Sequence, residues 1–86
     1  MPLTPMSPQK QLALRITNRR KILGLTQTEL AKHAGTSQTA VARLEAGQGN
    51  PTVDFIQRVC TALDLTLTLY IRPQLDTLNR NNPNVD

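Results

Sequence analysis

The chain has 86 residues, enough for one small domain with a modest core and little spare stability. Phe55 and Tyr70 are its only large aromatic residues, so the core must consist of Leu, Ile, Val and Ala, which dense helical packing accommodates. The single Cys60 excludes an internal disulfide, and no apolar run is long enough for a signal peptide or a membrane helix. We therefore expect a cytoplasmic protein with no membrane partner.

The net charge of +4 is unevenly distributed. Residues 1–45 contain seven Lys or Arg and two Glu, whereas residues 46–86 contain three Arg and four Asp. This asymmetry favours a polyanionic partner for the N-terminal half. A solvated basic face would give the same distribution.

The sequence contains no pattern of residues that is typical of an enzyme active site. His33 and Cys60 belong to different predicted helices without companion metal ligands, and there is no glycine-rich phosphate loop, carboxylate pair or nucleophile–base spacing. We predict no catalytic residue, no metal site, no cofactor and no enzyme activity. Cys60 lies among apolar residues at helical spacing in FIQRVCTAL, which predicts a buried thiol acting as a small hydrophobe.

The N-terminal segment MPLTPMSP carries three prolines and predicts an extended arm over residues 1–7. Ser7 followed by Pro8 is typical of a helix start, and Gly24 follows the end of this first helix at about Leu23.

Three shorter helices follow, each with a start signal. Thr26 and Glu29 form a capping-box pattern that opens the second helix, which reaches about His33. The third helix begins after Ser37 and is closed by Gly47; the fourth begins after Thr52 and reaches about Leu63. These signals predict a mainly α domain over residues 8–64.

The second and third helices have the spacing of a helix-turn-helix unit. Counting from Gln27, Ala31 comes fifth, Gly35 ninth, Val41 fifteenth and Leu44 eighteenth. Two helices that cross closely require a small fifth residue, a turn residue with positive φ, and apolar residues between them. The spacing therefore predicts a helix-turn-helix.

The stretch LGLTQTELAKHAGTSQTAVARLEAGQGNPT resembles the DNA-binding core of the lambda-repressor-like, or Xre-type, regulators, and the resemblance extends from Arg19 to about Leu63. It implies a four-helix domain whose third helix lies in the major groove of double-stranded DNA. The positions that match the base-reading residues are Gln38, Thr39 and Arg43. A Gln amide pairs with adenine, an Arg guanidinium with guanine, and a Thr methyl contacts thymine. A solvated helix face is the alternative for these residues.

The resemblance also implies residues that contact the DNA backbone and residues that hold the domain together. Gln27 would contact the backbone and brace the first residue of the reading helix. The full set of candidate phosphate-binding residues is Gln27, Ser37, Asn50, Arg19 and Lys21. Arg20 and Glu45 match a structural ion pair between the first helix and the end of the third; an exposed Arg20 that contacts phosphate is the alternative.

The segment LTLTLYI, residues 65–71, alternates strictly between apolar and polar side chains and predicts a β-strand. A lone strand leaves its backbone groups unpaired, so a second copy of the chain is the expected partner. We predict a homodimer with a two-stranded antiparallel intermolecular sheet, which would place two reading helices ~34 Å apart on a palindromic operator. In the alternative, the strand lies back on its own helices. The predicted interface comprises Leu65, Leu67, Leu69 and Ile71.

Four helices followed directly by such a strand and a polar tail are similar to the HipB-type antitoxins. That resemblance implies a repressor of its own operon that also holds a HipA-like serine/threonine kinase toxin inactive. A transcriptional regulator without a toxin partner is the alternative. Residues 72–86 are polar, with four Asn and two Pro, and predict a tail that is disordered when free.

Overall fold

A computed structural model describes residues 6–71 of the protein. It contains four helices: α1 (Pro8–Ile22), α2 (Gln27–Ala34), α3 (Gln38–Glu45) and α4 (Val53–Ala62). The mainly helical fold and the four predicted helices are thus confirmed. Most of the predicted arm, residues 1–5, and the whole predicted tail, residues 72–86, lie outside the described residues.

Every helix begins after a Ser or Thr whose hydroxyl oxygen accepts a hydrogen bond from a backbone N–H three residues later. In α2 the Glu29 side chain also accepts from the Thr26 N–H, which completes the capping box. Each such cap contributes about 1 kcal/mol to helix stability, so the helix starts are set by local sequence. The four caps are Ser7, Thr26, Ser37 and Thr52.

The turn of the helix-turn-helix is made at Gly35. Its φ of 69° lies in the left-handed region, and the N–H of Thr36 donates to the carbonyl of Ala31 at 2.9 Å. A residue with a Cβ would be strained in this conformation. Gly35 therefore ends α2 sharply and lets the chain enter α3 after only three residues.

The core lies where α2 packs against α3 and α4, and where α1 packs against α3. Leu30 and Val41 are fully buried and Leu44 is 3% exposed, which confirms the predicted contact between the two helices of the motif. Ala31 is also buried at their crossing, where a larger side chain would not fit. The remaining fully buried large side chains are Ile16, Val59 and Leu63.

Cys60 is 5% exposed on α4, and burial raises the pKa of its thiol. The predicted buried thiol is confirmed. A thiol with a raised pKa is a weak nucleophile, because the reactive form is the thiolate.

The segment after α4 lies beside α1, with which residues 65–68 line a groove. The N–H of Leu65 donates to the Cys60 carbonyl at 2.8 Å, and beyond it residues 66–71 form no backbone hydrogen bond with the other described residues. Leu65 and Leu67 are half-buried beside α1, whereas Leu69 and Ile71 are 66% and 93% exposed. The first half of the segment thus lies against its own helices, and none of residues 65–71 forms a strand in the single chain, so the strand and its pairing with a second copy stay predictions.

Candidate nucleic-acid interface

The structure places Gln38, Thr39 and Arg43 on one exposed face of α3. Val41 and Leu44, on the opposite face, are buried in the core. The buried face prevents rotation of this short helix, so the direction in which the polar face points is set by core packing. This is the geometry that a helix needs if it is to enter a groove of DNA with its polar side first.

A chain of side-chain hydrogen bonds joins the two ends of α3 through α2. Gln38 Nε2 donates to Gln27 Oε1 at 2.8 Å, and Gln27 Nε2 donates to Glu45 Oε1 at 3.1 Å. Gln27 therefore lies beside the first residue of α3, at the N-terminus of α2. An amide held at both ends has a defined orientation before any ligand binds.

Arg20 and Glu45 form a two-point ion pair between α1 and the end of α3. Arg20 Nε donates to Oε2 of Glu45 at 2.7 Å, and Nη2 donates to Oε1 at 2.9 Å. Arg20 Nη1 donates to the Leu25 carbonyl at 2.8 Å. The Arg20 guanidinium thus has a protein partner for each of its three nitrogens, and its side chain is only 12% exposed. This geometry is that of a structural residue and leaves Arg20 little freedom to contact phosphate.

The electrostatics of the pair follow from its burial. Burial alone would raise the pKa of Glu45, but the hydrogen bonds from Arg20 and Gln27 and the positive charge of Arg20 outweigh it, so the pKa lies below its usual value. The same hydrogen bond to Glu45 raises the pKa of Arg20, against the opposing effect of burial. Both groups are therefore charged at neutral pH, and each stabilises the other.

The candidate phosphate-binding residues have different surroundings. Asn50 and Lys21 are exposed. The Ser37 hydroxyl accepts from the Ala40 N–H, which leaves its proton free to be donated to a ligand. Arg19 is half-buried, and its Nε donates to the Leu63 carbonyl at 3.0 Å. Arg19 thus joins α1 to the end of α4, a structural contact that the sequence did not predict.

The loop between α3 and α4 lies beside the exposed face of α3. Together they line a groove of about 350 Å³ whose walls include Arg43, Gly49, Asn50 and Phe55. From α1, Gln9 Nε2 donates to the Gly49 carbonyl at 2.6 Å. No signal in the sequence marks Gln9, because it is separated from Gly49 by 40 residues and belongs to no motif.

Within residues 6–71, no helix has the length and apolar composition required to cross a membrane. Over the same residues, no three or more His, Cys, Asp or Glu side chains are grouped as metal ligands.

The sequence matches a family of known proteins. The HTH_3 family model, described as helix-turn-helix, matches residues 16–70. The cryptic phage CTXphi transcriptional repressor RstR of Vibrio cholerae is 32% identical over 53 residues, which cover 62% of this chain. The match spans 47% of RstR, so this chain aligns with about half of that protein.

Solved structures share the fold at similar identity. The controller protein C.AhdI of Aeromonas hydrophila is 32% identical with a TM-score of 0.63, over 66% of this chain and 86% of that one. SinR, solved in complex with DNA, is 32% identical with a TM-score of 0.60, over 64% and 89% of the two chains. A chain of the HipA–HipB–O2–O3 complex is 28% identical with a TM-score of 0.68, over 83% of this chain and 100% of that one.

The family match extends from within α1 to the segment that follows α4 and covers well over half of the chain. The matched residues contain the C-terminal part of α1, all of α2, α3 and α4, the turn at Gly35 and the exposed polar face of α3. The chain belongs to the HTH_3 family of Xre-type, lambda-repressor-like helix-turn-helix proteins.

Proposed function

We propose that the protein is a sequence-specific DNA-binding transcriptional repressor whose α3 reads base edges in the major groove. The observation that carries this proposal is the polar face of α3, where Gln38, Thr39 and Arg43 are exposed on a helix held by its buried opposite face. These side chains supply an amide, a methyl and hydroxyl group, and a guanidinium, which recognise adenine, thymine and guanine respectively.

Contacts to the DNA backbone would fix the register of α3. Gln27 and Ser37 lie at the N-termini of α2 and α3, where backbone N–H groups favour an anion. Asn50 extends this surface into the following loop, and Lys21 adds charge from α1. Arg19 keeps its hydrogen bond to Leu63 and would contribute mainly through its charge.

A homodimer would place two such surfaces on a palindromic operator. The apolar residues Leu69 and Ile71 are largely exposed, and the backbone around them has no partner among the described residues. Pairing of residues 65–71 with the same segment of a second copy would satisfy those backbone groups and cover both apolar faces. The interface comprises Leu65, Leu67, Leu69 and Ile71.

We further propose that the repressor is the antitoxin of a type II toxin–antitoxin system and neutralises a HipA-like kinase toxin in the bacterial cytoplasm, on the nucleoid. Two observations support this role. The apolar alternation of residues 65–71 follows directly after α4, and this chain is similar to all of one chain in the HipA–HipB complex. A second candidate is a transcriptional regulator without a toxin, which the similarity to RstR and SinR supports.

DNA recognition is tested by selecting duplexes from a random-sequence library with the purified protein. We expect an inverted repeat with half-sites about one turn apart, bound at least about 10³-fold more tightly than unrelated DNA at physiological salt. Equal affinity for all duplexes at each salt concentration would contradict the proposal.

The two candidate roles are separated by the neighbouring reading frames. If a kinase-like protein is encoded beside this chain, coexpression should give a stable complex and relieve growth inhibition by the kinase. A chain that represses from its selected operator, yet neither binds nor neutralises such a kinase, is a regulator without that partner.

A further inference from the structure

The first turn of α1 is attached to the loop that follows α3. Gln9 Nε2 donates to the Gly49 carbonyl at 2.6 Å, a short hydrogen bond between residues 40 positions apart. Nearby, Lys10 Cγ lies 3.6 Å from the position that a Cβ would take on Gly47. The start of α1 therefore lies along this loop and restrains it.

Gly49 is the point at which the loop meets the Arg43 side chain. A Cβ built on Gly49 would lie 3.1 Å from Arg43 Nη2 and 3.8 Å from its Cζ. Gly49 also has a φ of +73°, a conformation that other residues adopt only with strain. The backbone conformation at position 49 thus favours glycine, and a Cβ there would displace the Arg43 guanidinium by a few tenths of an ångström.

The Arg43 guanidinium has few other restraints. It is exposed, and among residues 6–71 it forms no ion pair. An Arg side chain with free rotamers loses conformational entropy when it is immobilised. A loop surface that restricts the guanidinium beforehand lowers that loss on binding.

We propose that Gln9 and Gly49 are positioning residues for base recognition by Arg43. The hydrogen bond from Gln9 holds Gly49 in place, and the bare backbone of Gly49 supports the guanidinium in one orientation. Bidentate recognition of a base requires such an orientation. A residue of α1 that reads no base thereby contributes to sequence preference. This inference rests on the proposed base-reading role of Arg43.

The test uses the duplex selected from a random library by the wild-type protein. The measured quantity is discrimination, the ratio of affinities for that duplex and for the single-base-pair variant at the position where Arg43→Ala relaxes preference. Gln9→Ala should lower discrimination about three- to tenfold, the effect of roughly one net hydrogen bond. The slope of affinity against salt should not change, because no charge is removed.

A matched control comes from the same helix. Gln11 Nε2 donates to the Met6 carbonyl at 2.7 Å and does not hold the loop, so Gln11→Ala should leave discrimination at the wild-type value. In an Arg43→Ala background, Gln9→Ala should have no further effect on discrimination, because the group that it positions is gone.

Two further measurements keep a folding defect from being mistaken for lost positioning. Gly49→Ala should lower discrimination at least as much as Gln9→Ala, and thermal melting reports separately on its backbone strain. In the DNA-free protein, NMR relaxation of the Arg43 Nε–H group should show greater mobility in Gln9→Ala than in Gln11→Ala.

The outcomes separate this inference from the proposed function. If Arg43→Ala relaxes preference at one base pair but Gln9→Ala weakens all duplexes equally or not at all, the positioning role is wrong and Arg43 remains a base reader. If Arg43→Ala changes preference at no base pair, the base-reading role is wrong and the positioning role falls with it.

Discussion

Arg20 holds Glu45 by two roughly parallel hydrogen bonds of 2.7 and 2.9 Å that join α1 to the end of α3. The side chains of the pair are 12% and 5% exposed, so both charges are largely removed from water. Through Gln27, the same carboxylate is connected to Gln38 at the other end of α3. A residue pair that stabilises the domain is therefore also in contact with the surface proposed to read DNA.

Arg20→Ala would leave the Glu45 carboxylate buried without its charged partner. We expect the free energy of unfolding to fall by about 3–5 kcal/mol. Urea denaturation measures it. The control is Arg58→Ala, which breaks an exposed pair with Asp54 at 3.6 Å and should cost less than about 1 kcal/mol. Equal losses in the two variants would show that burial of the Arg20 pair contributes nothing.

The lowered pKa of Glu45 predicts a pH dependence of stability. The pKa of Glu45 is lower in the folded state than in the unfolded state, where it is about 4.3. The ionised carboxylate therefore stabilises the fold fully at pH values above the unfolded-state pKa, and this stabilisation is lost as the pH falls through the folded-state pKa. The difference in unfolding free energy between wild type and Glu45→Gln should therefore shrink below about pH 4.3. A difference that is constant from pH 7 to pH 3 would contradict this assignment.

Arg43→Ala tests base reading directly. If the guanidinium recognises a guanine, the variant should lose about 1–3 kcal/mol of affinity for the selected duplex and relax preference at one symmetric base pair in each half-site. Titration against duplexes with single substitutions shows which position is affected. A uniform loss on all sequences would instead make Arg43 a phosphate contact.

Gln27→Ala should weaken binding in a different way. It removes a proposed backbone contact, so affinity for selected and unrelated duplexes should fall by similar factors, about three- to tenfold. The lost hydrogen bond to Gln38 should add a smaller loss that is confined to the selected duplex. Thermal melting of the variant measures how much stability is lost with its hydrogen bond to Glu45. Unchanged binding to mixed-sequence DNA would exclude the backbone contact.

Leu69→Glu tests the dimer. Because Leu69 is 66% exposed in the single chain, the substitution should leave the helical core folded but place a carboxylate in each half of the proposed interface. Sedimentation should show a monomer at micromolar concentration, and affinity for the full inverted repeat should drop about 10²-fold or more, since the two half-sites are no longer linked.

Thr68→Glu is the matched control on the other side of the alternation and should remain dimeric. If it disrupts the dimer as strongly as Leu69→Glu, the inward face of the segment has been assigned the wrong way round. A wild-type protein that is monomeric at micromolar concentration would rule out the dimer itself.

Local chemistry accounts for what the sequence alone determined. Helix starts and ends depend on contacts within about one helical turn, so they can be predicted from the sequence. This holds for the four cap residues, the capping box and the turn glycine at position 35. Periodic apolar residues likewise predicted that Val41 and Leu44 face the core and that Arg43 faces outward. Similarity to a family added the pairing of Arg20 with Glu45, which periodicity alone would not have identified.

Only the tertiary structure decided which distant polar groups meet. Gln9 reaches Gly49 and Arg19 reaches Leu63 across 40 and 44 positions, and Gln27 lies between Gln38 and Glu45. Such contacts depend on how the four packed helices are oriented relative to one another. The residue pattern within a single helix does not predict that orientation. Gly49 shows both levels: the local turn after α3, in which the Gln48 N–H donates to the Arg43 carbonyl, brings it back beside Arg43, whereas its hydrogen bond from Gln9 exists only because the helices pack together.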